Sequence, residues 1–148
     1  MELVVLIGIP ATGKSSFARE RFGETHLRLN LDMLRTRHRE DVLFRACLEA
    51  KQPVVVDNTN TTRAERARYV AAARAAGFRV VGYYFSSRVG DALARNATRS
   101  GEARVPDAAV LGMAGRLELP RLDEGFDALH FVRLEGPAFV VEGWRDEV

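Results

Sequence analysis

Gly8-Ile9-Pro10-Ala11-Thr12-Gly13-Lys14-Ser15 has the form G-x-x-x-x-G-K-S, and each fixed position answers a chemical need. Glycine permits backbone angles that a Cβ forbids, so consecutive N–H groups can turn inward onto phosphate oxygens. The lysine reaches the outer phosphates of a nucleotide, and the hydroxyl after it binds Mg²⁺. The flanks decide how the stretch is read. Leu3-Val4-Val5-Leu6-Ile7 is an uninterrupted aliphatic run, the pattern of a strand buried on both faces of a parallel sheet. Ser16 to Phe22 fits a helix with Phe17, Ala18 and Phe22 on one face. Strand, glycine loop and helix is the context a phosphate-binding loop requires, whereas a plain glycine turn needs none of the fixed residues. The candidate nucleotide contacts are Gly8, Pro10, Ala11, Thr12, Gly13, Lys14, Ser15 and Ser16. The ligands implied are ATP or another NTP, with Mg²⁺ or Mn²⁺.

The 148 residues, 47% apolar and 28% charged, suit one soluble domain over 1–148 with a real core. No apolar run approaches membrane-spanning length and no secretory leader is visible, so a cytoplasmic protein without membrane attachment is expected. The net charge of +2 is too small to argue for nucleic acid. All but Lys14 and Lys51 of the 22 basic residues are arginines, which genomic base composition explains most cheaply. Cys47 cannot form an internal disulfide and reads as a packed thiol. His26, His38 and His130 lack metal-ligand spacing, so no zinc site is expected.

Further along, His26 to Asn30 reads as a short strand with Asp32 at its carboxyl end. A helix is expected from about Leu34 to Ala50, with Val42, Leu43, Ala46, Cys47 and Ala50 inward and Pro53 beyond its end. Val54-Val55-Val56 is a second buried strand ending in Asp57, a carboxylate placed to hold Mg²⁺ directly or through water. The alternative, that Asp57 caps the next helix, competes with Thr61 and Thr62 for that role. An alanine-rich helix from Arg63 to Ala76 stops at Gly77, and Arg79 to Phe85 is the next strand. Its Tyr83, Tyr84 and Phe85 alternate between faces, which favours core packing over a base-stacking platform.

A helix over Arg88–Arg99 puts Arg88, Arg95 and Arg99 on one side, either as a solvated face paired with Asp91 or as a phosphate-facing stripe. The polar stretch from Ser100 to Pro106 suits a mobile lid, spanning about 95–106 with the arginines before it, and a helix follows from Asp107. Ala128 to Leu134 and Ala138 to Val141 read as closing strands, the last near an edge. Repeated strand–helix units imply an α/β fold: a P-loop kinase-type parallel sheet flanked by helices, with a small lid. Ligands then bind beyond the carboxyl ends of the strands, where the loop, Asp32, Asp57 and the arginine helix converge.

A phosphate loop alone fits ATPases, GTPases and kinases. The guanine-reading N-K-x-D of GTPases is absent, and the chain is short for motor machinery, which leaves a compact phosphoryl transferase. Asp32 is placed to accept an acceptor's hydroxyl proton, and Arg35 to hold an acceptor phosphate. Lid arginines can stabilise charge on the transferred group.

The segments Leu29-Asn30-Leu31-Asp32-Met33-Leu34-Arg35, Val54 to Asn60, Arg95-Asn96-Ala97-Thr98-Arg99, Val105-Pro106, Arg116 to Pro120 and Glu124-Gly125-Phe126-Asp127 follow one another in an order that resembles the 5′-hydroxyl polynucleotide kinases. The likeness is to the kinase domain of polynucleotide kinase–phosphatases and runs to about Val132. It implies Asp32 as general base toward a 5′-hydroxyl and Arg35 on the acceptor's 3′-phosphate. It also implies Arg99 on the donor phosphates, with Arg95 near the nucleotide. Lys14, Asp32 and Arg99 are thus the candidate catalytic residues, Arg95 and Arg99 join the nucleotide contacts, and Ser15 and Asp57 are the metal candidates. The implied partners are nucleic-acid 5′-OH ends and an NTP. Leu31 stands where many relatives carry arginine, and no D-x-D phosphatase motif occurs. A kinase of a small hydroxylated metabolite or antibiotic, or a non-catalytic nucleotide-binding module, is the alternative. Nothing in the sequence identifies an oligomeric state.

Overall fold

A computed structural model describes residues 1–145. Six strands, β1 (Glu2–Ile7), β2 (Leu27–Leu29), β3 (Val54–Asp57), β4 (Arg79–Phe85), β5 (Ala128–Glu135) and β6 (Ala138–Gly143), form one sheet in the order β2-β3-β1-β4-β5-β6. The first five run parallel, and β6 returns antiparallel along β5. Between them lie α1 (Lys14–Phe22), α2 (Leu31–Leu34), α3 (Arg37–Ala50), α4 (Arg63–Ala75), α5 (Val89–Ala97) and α6 (Asp107–Arg116).

β1 is central, and its aliphatic run is divided by the two-residue period of a strand. Leu3, Val5 and Ile7 join Phe44 and Cys47 of α3 and Tyr69, Val70 and Ala73 of α4 on one face. Val4 and Leu6 join Phe17, Ala18 and Phe22 of α1 on the other. Tyr84 falls in the first cluster and Tyr83 and Phe85 in the second, so these aromatics are core, as their alternation requires. A third, small cluster seats Ala92 of α5 and Val110 of α6 on Ile9 of the loop after β1. That contact brings the arginine-bearing helix to the loop.

The helix expected over 34–50 is two helices. Asn30 caps the four-residue α2 by accepting from Met33 N–H, Arg35 ends it at φ 75°, and the Thr36 side chain caps α3 by accepting from Arg39 N–H. The inward face also differs from expectation. Val42, Leu43, Ala46 and Ala50 are exposed, while Glu40, Phe44 and Cys47 are buried. The cause is a polar anchor: Glu40 is drawn inward by the Tyr69 hydroxyl, and the Phe44 ring meets Tyr69 edge-on. Cys47 is a packed thiol, and burial pushes its pKa up. The helix expected to reach Arg99 ends at Ala97, so Arg99 lies past it.

Candidate active site

The loop from Gly8 to Gly13 leaves the carboxyl end of β1, where its neighbours are β3 on one side and β4 on the other. In an open parallel sheet such a reversal of strand order opens a crevice for ligands. Ala11 at φ 64° and Gly13 at φ 94° coil the loop tightly. A Cβ on Gly13 would also meet the Phe139 ring at 2.9 Å, so both angle and space demand glycine there. Pro10 and Thr12 are buried and Ser16 is exposed. No side chain caps α1, which leaves its first N–H groups aimed at the crevice, the usual seat for an anion.

Lys14 is 8% exposed and folds back to donate to the Ile9 carbonyl at 2.8 Å, beside the Thr12 hydroxyl, which donates to the same oxygen. Burial pulls its pKa from 10.5 down to about 8. Asp57 opposes that shift, Arg99 adds to it, and Asp32 opposes it. The fields of all three candidates therefore reach the ammonium group.

Four consecutive residues, from the last of β3 onward, fasten the surroundings. The Asp57 carboxylate, 1% exposed, accepts from Ser15 Oγ at 2.8 Å and from Arg28 Nε at 2.8 Å. Asn58 Oδ1 accepts from Leu31 N–H at 2.9 Å. The Thr59 carbonyl accepts from Gly8 N–H at 2.9 Å. Asn60 Nδ2 donates to the Leu6 carbonyl at 2.8 Å, and Asn60 itself sits at φ 47°. Thr62, not Asp57, caps α4 by accepting from Glu65 N–H. That leaves Asp57 available to the crevice.

Arg28 was not among the residues expected here. Its guanidinium donates to Asp57 and, at 3.3 Å, to Ser15 Oγ, so one side chain bridges both metal candidates. The only hint in the sequence is a basic residue on a strand beside a phosphate loop. Asn58 and Asn60 lie in a segment quoted for its likeness, yet only Asp57 was given a role; amide side chains carry no signal that separates an anchor from a surface group.

Asp32 lies on α2, exposed, and Arg35 is exposed at the end of the same turn. Across the crevice, Arg95 Nη1 reaches the Ala11 carbonyl at 3.4 Å. Thr12, Arg88, Asp91, Arg95 and Arg133 help to line a cavity of about 390 Å³ next to the loop. Asp91 forms no ion pair with Arg88 or Arg95 among the described residues. Arg99 is half-buried and donates to the Ala103 carbonyl at 3.4 Å. Buried Asn96 accepts from Val105 N–H at 2.9 Å and donates back to the Val105 carbonyl, which ties the two ends of the 98–104 loop together. The crevice thus gathers the phosphate loop, Asp57, Asp32, Arg95 and Arg99.

A mostly parallel sheet with a phosphate loop after its central strand, a carboxylate at the end of β3 and another just beyond β2 defines a P-loop NTP-dependent kinase. The chain belongs to the AAA domain family AAA_33, whose match covers residues 3–120. It is 29% identical over 132 residues to a bifunctional polynucleotide phosphatase/kinase of Schizosaccharomyces pombe, across 84% of this chain and 32% of that protein. This chain therefore spans about a third of the relative's length. Among solved structures it resembles Chaetomium thermophilum Kti12 in complex with ADP-AlF3, at TM-score 0.68 and 18% identity over 88% of each chain. It also resembles a gluconokinase from Sinorhizobium meliloti 1021, at TM-score 0.63 and 20% identity over 92% of this chain and 84% of that one. These two likenesses concern the fold. No helix among the described residues is long and apolar enough to cross a membrane.

Proposed function

We propose that this chain is a kinase domain with a small lid that transfers the γ-phosphate of ATP, or another NTP, to the 5′-hydroxyl end of DNA or RNA. The observation that carries the reading is Asp32: an exposed carboxylate whose field reaches Lys14, three residues before an exposed arginine. A base and a cation so close together suit an acceptor with a hydroxyl and a neighbouring phosphate. Similarity to the S. pombe polynucleotide phosphatase/kinase supports the same acceptor.

In the reaction, Asp32 takes the proton of the acceptor hydroxyl as its oxygen attacks the γ-phosphorus. The bond from that phosphorus to the bridging β-phosphate oxygen breaks, and the nucleoside diphosphate leaves. Loop N–H groups and Lys14 hold the phosphates, Arg99 faces the charge on the transferred group, and Arg95 lies on the nucleotide side. Ser15 Oγ and the Asp57 carboxylate, hydrogen-bonded at 2.8 Å, are the hard oxygen donors that Mg²⁺ takes alongside water and phosphate. An ion held there, directly or through water, would supply neutralisation of the phosphate charge. Closing the 98–104 loop keeps water from the transferred group.

The test is labelled ATP and Mg²⁺ with 5′-OH oligonucleotides, alongside a panel of sugars, nucleosides and other small alcohols. Label on the oligonucleotide, lost in Asp32→Asn and weakened by added salt, is the expected result. Label on a small alcohol alone makes this a metabolite kinase. Nucleotide binding with no transfer makes it a binding module.

A further inference from the structure

Glu40 is 2% exposed on α3, and the donor site does not use it. Both of its oxygens are engaged. Oε1 accepts from the Tyr69 hydroxyl at 2.6 Å and from Arg37 Nη1 at 3.1 Å. Oε2 accepts from Asn58 Nδ2 at 2.8 Å. Asn58 turns its other end to the Leu31 N–H, one residue before Asp32. A carboxylate only accepts, an amide donates at one end and accepts at the other, and a backbone N–H only donates, so the chain runs in one direction. Burial, reinforced by Glu40, pushes the Tyr69 pKa up to about 12, which keeps its hydroxyl a donor at working pH.

We propose that Glu40 is a positioning residue: acting through Asn58, it sets the Leu31 N–H and hence where Asp32 stands. The inference rests on the reading of Asp32 as general base. Its physical basis is the way α2 is held: Leu34 packs half-buried against the core and its carbonyl accepts from Arg39 at 3.2 Å, at the far end from Leu31. The turn has four residues, too few to be stable alone, and none is buried. Two asparagines tie it to the end of β3: Asn30, which donates to the Asp57 carbonyl at 2.6 Å, and Asn58. Glu40 fixes which end of Asn58 faces Leu31; the Tyr69 hydroxyl lies farther from Asn58 Nδ2, at 3.5 Å. General-base catalysis is sensitive to such placement, since an error of about 1 Å is worth roughly 100-fold in rate.

The direction of the chain supplies the test. Asn58→Asp sets a carboxylate against Glu40 and breaks the chain. Adding Glu40→Gln restores it, because the introduced amide donates to the introduced carboxylate, whose other oxygen accepts from Leu31 N–H. Below the melting range, Asn58→Asp is expected to lower kcat on the order of 100-fold with KM for ATP unchanged, and the double variant to recover to within about threefold of wild type. Amide hydrogen exchange at Leu31, read by NMR without any acceptor, is expected to speed up in Asn58→Asp and to slow again in the double variant. Unchanged Leu31 exchange in Asn58→Asp, no rescue by Glu40→Gln, or a KM for ATP that rises in step with the loss of kcat would overturn the proposal. Full activity in Asp32→Asn would instead overturn the base assignment, and Leu31 exchange would still decide the link to Glu40.

Discussion

Lys14 and Asp57 are 8% and 1% exposed, and Ser15 and Arg28 close a hydrogen-bonded cluster around Asp57. Asp32 also acts on Lys14, but it is exposed on a four-residue helix with nothing buried, and Arg35 beside it is exposed too. The half that meets phosphate is assembled in advance from backbone and buried side chains. The half proposed to meet the acceptor is a turn tied to the end of β3 by Asn30 and Asn58 and resting on the core through Leu34. Phosphate is the same ligand in every enzyme that uses this loop, so a rigid, buried cradle suits it. Acceptors differ, and the exposed turn is where a shared fold can be fitted to one or another.

The largest effects should separate the two halves. Asp32→Asn is expected to lower kcat by about 10²–10⁴-fold, the range of a lost general base, with nucleotide affinity unchanged. A pre-steady-state measurement alongside nucleotide titration checks this, and a matching loss of affinity would merge the halves. Lys14→Met should do the reverse and weaken ATP binding by roughly 100-fold, the cost of removing one partner of a buried charged contact. The same change should raise the melting temperature of the ligand-free protein. Burial opposes the Lys14 charge more strongly than any neighbour supports it, so an apolar side chain fits the empty loop better.

Chemistry that repeats in many proteins was legible, and chemistry specific to this one was not. The loop could be read because its glycines, lysine and serine each have one job at one spacing. The fold followed because Leu3 to Ile7 is apolar on both faces, as a central parallel strand requires, and runs straight into the phosphate loop. Arg28, Asn58 and Glu40 could not be read, since each gains its role from partners 13 to 29 positions away. Glu40 also misled the helical pattern of α3: a buried carboxylate on the inward face breaks the apolar period on which amphipathic readings depend. The segment from Glu124 to Asp127, quoted for likeness to kinases, serves the scaffold instead. Glu124 binds buried Arg66 through two bonds of 2.8 and 3.1 Å, Phe126 is core, and Asp127 accepts from Val80 N–H. Likeness alone does not separate a fold's fasteners from its catalysts.

Acidity gives a smaller handle on the donor side. Lys14 titrates near 8 in the empty protein and at 10.5 when unfolded, so between those values the unfolded chain binds more protons. The stability of the empty protein should therefore rise with pH across that window, by an amount on the order of 3 kcal/mol. Phosphate favours the charged form. Nucleotide affinity should thus be flat below pH 8 and fall by up to about tenfold per unit above it, with proton uptake on binding. Calorimetry at pH 8.5 in buffers of different ionisation enthalpy measures that uptake. An affinity that stays flat to pH 10 would mean that Lys14 is already charged in the empty loop.

Arg28 provides the finest test of the contrast, because it pairs with buried Asp57 while its own side chain is partly open, at 25% exposure against 1% for Asp57. Its guanidinium occupies Asp57 Oδ2 and approaches Ser15 Oγ, the two oxygens assigned to Mg²⁺. Two consequences of Arg28→Met then point in opposite directions. Without the guanidinium, buried Asp57 keeps the Ser15 hydroxyl among the described residues but loses its charged partner, so the empty protein should lose about 1–2 kcal/mol, less than for a fully buried pair because water already reaches Arg28. Without a competing cation, Mn²⁺ should bind the nucleotide complex roughly tenfold more tightly, as a charged hydrogen bond of about 1.5 kcal/mol no longer has to be displaced. Thermal melts of the empty protein and Mn²⁺ titration followed by electron paramagnetic resonance read the two separately. A lower melting temperature with tighter Mn²⁺ binding makes Arg28 a placeholder that keeps the donor side assembled until its ligands arrive. Weaker Mn²⁺ binding makes it part of the liganded site instead, reaching past Asp57 toward phosphate, and the donor half would then be rebuilt on binding rather than formed beforehand.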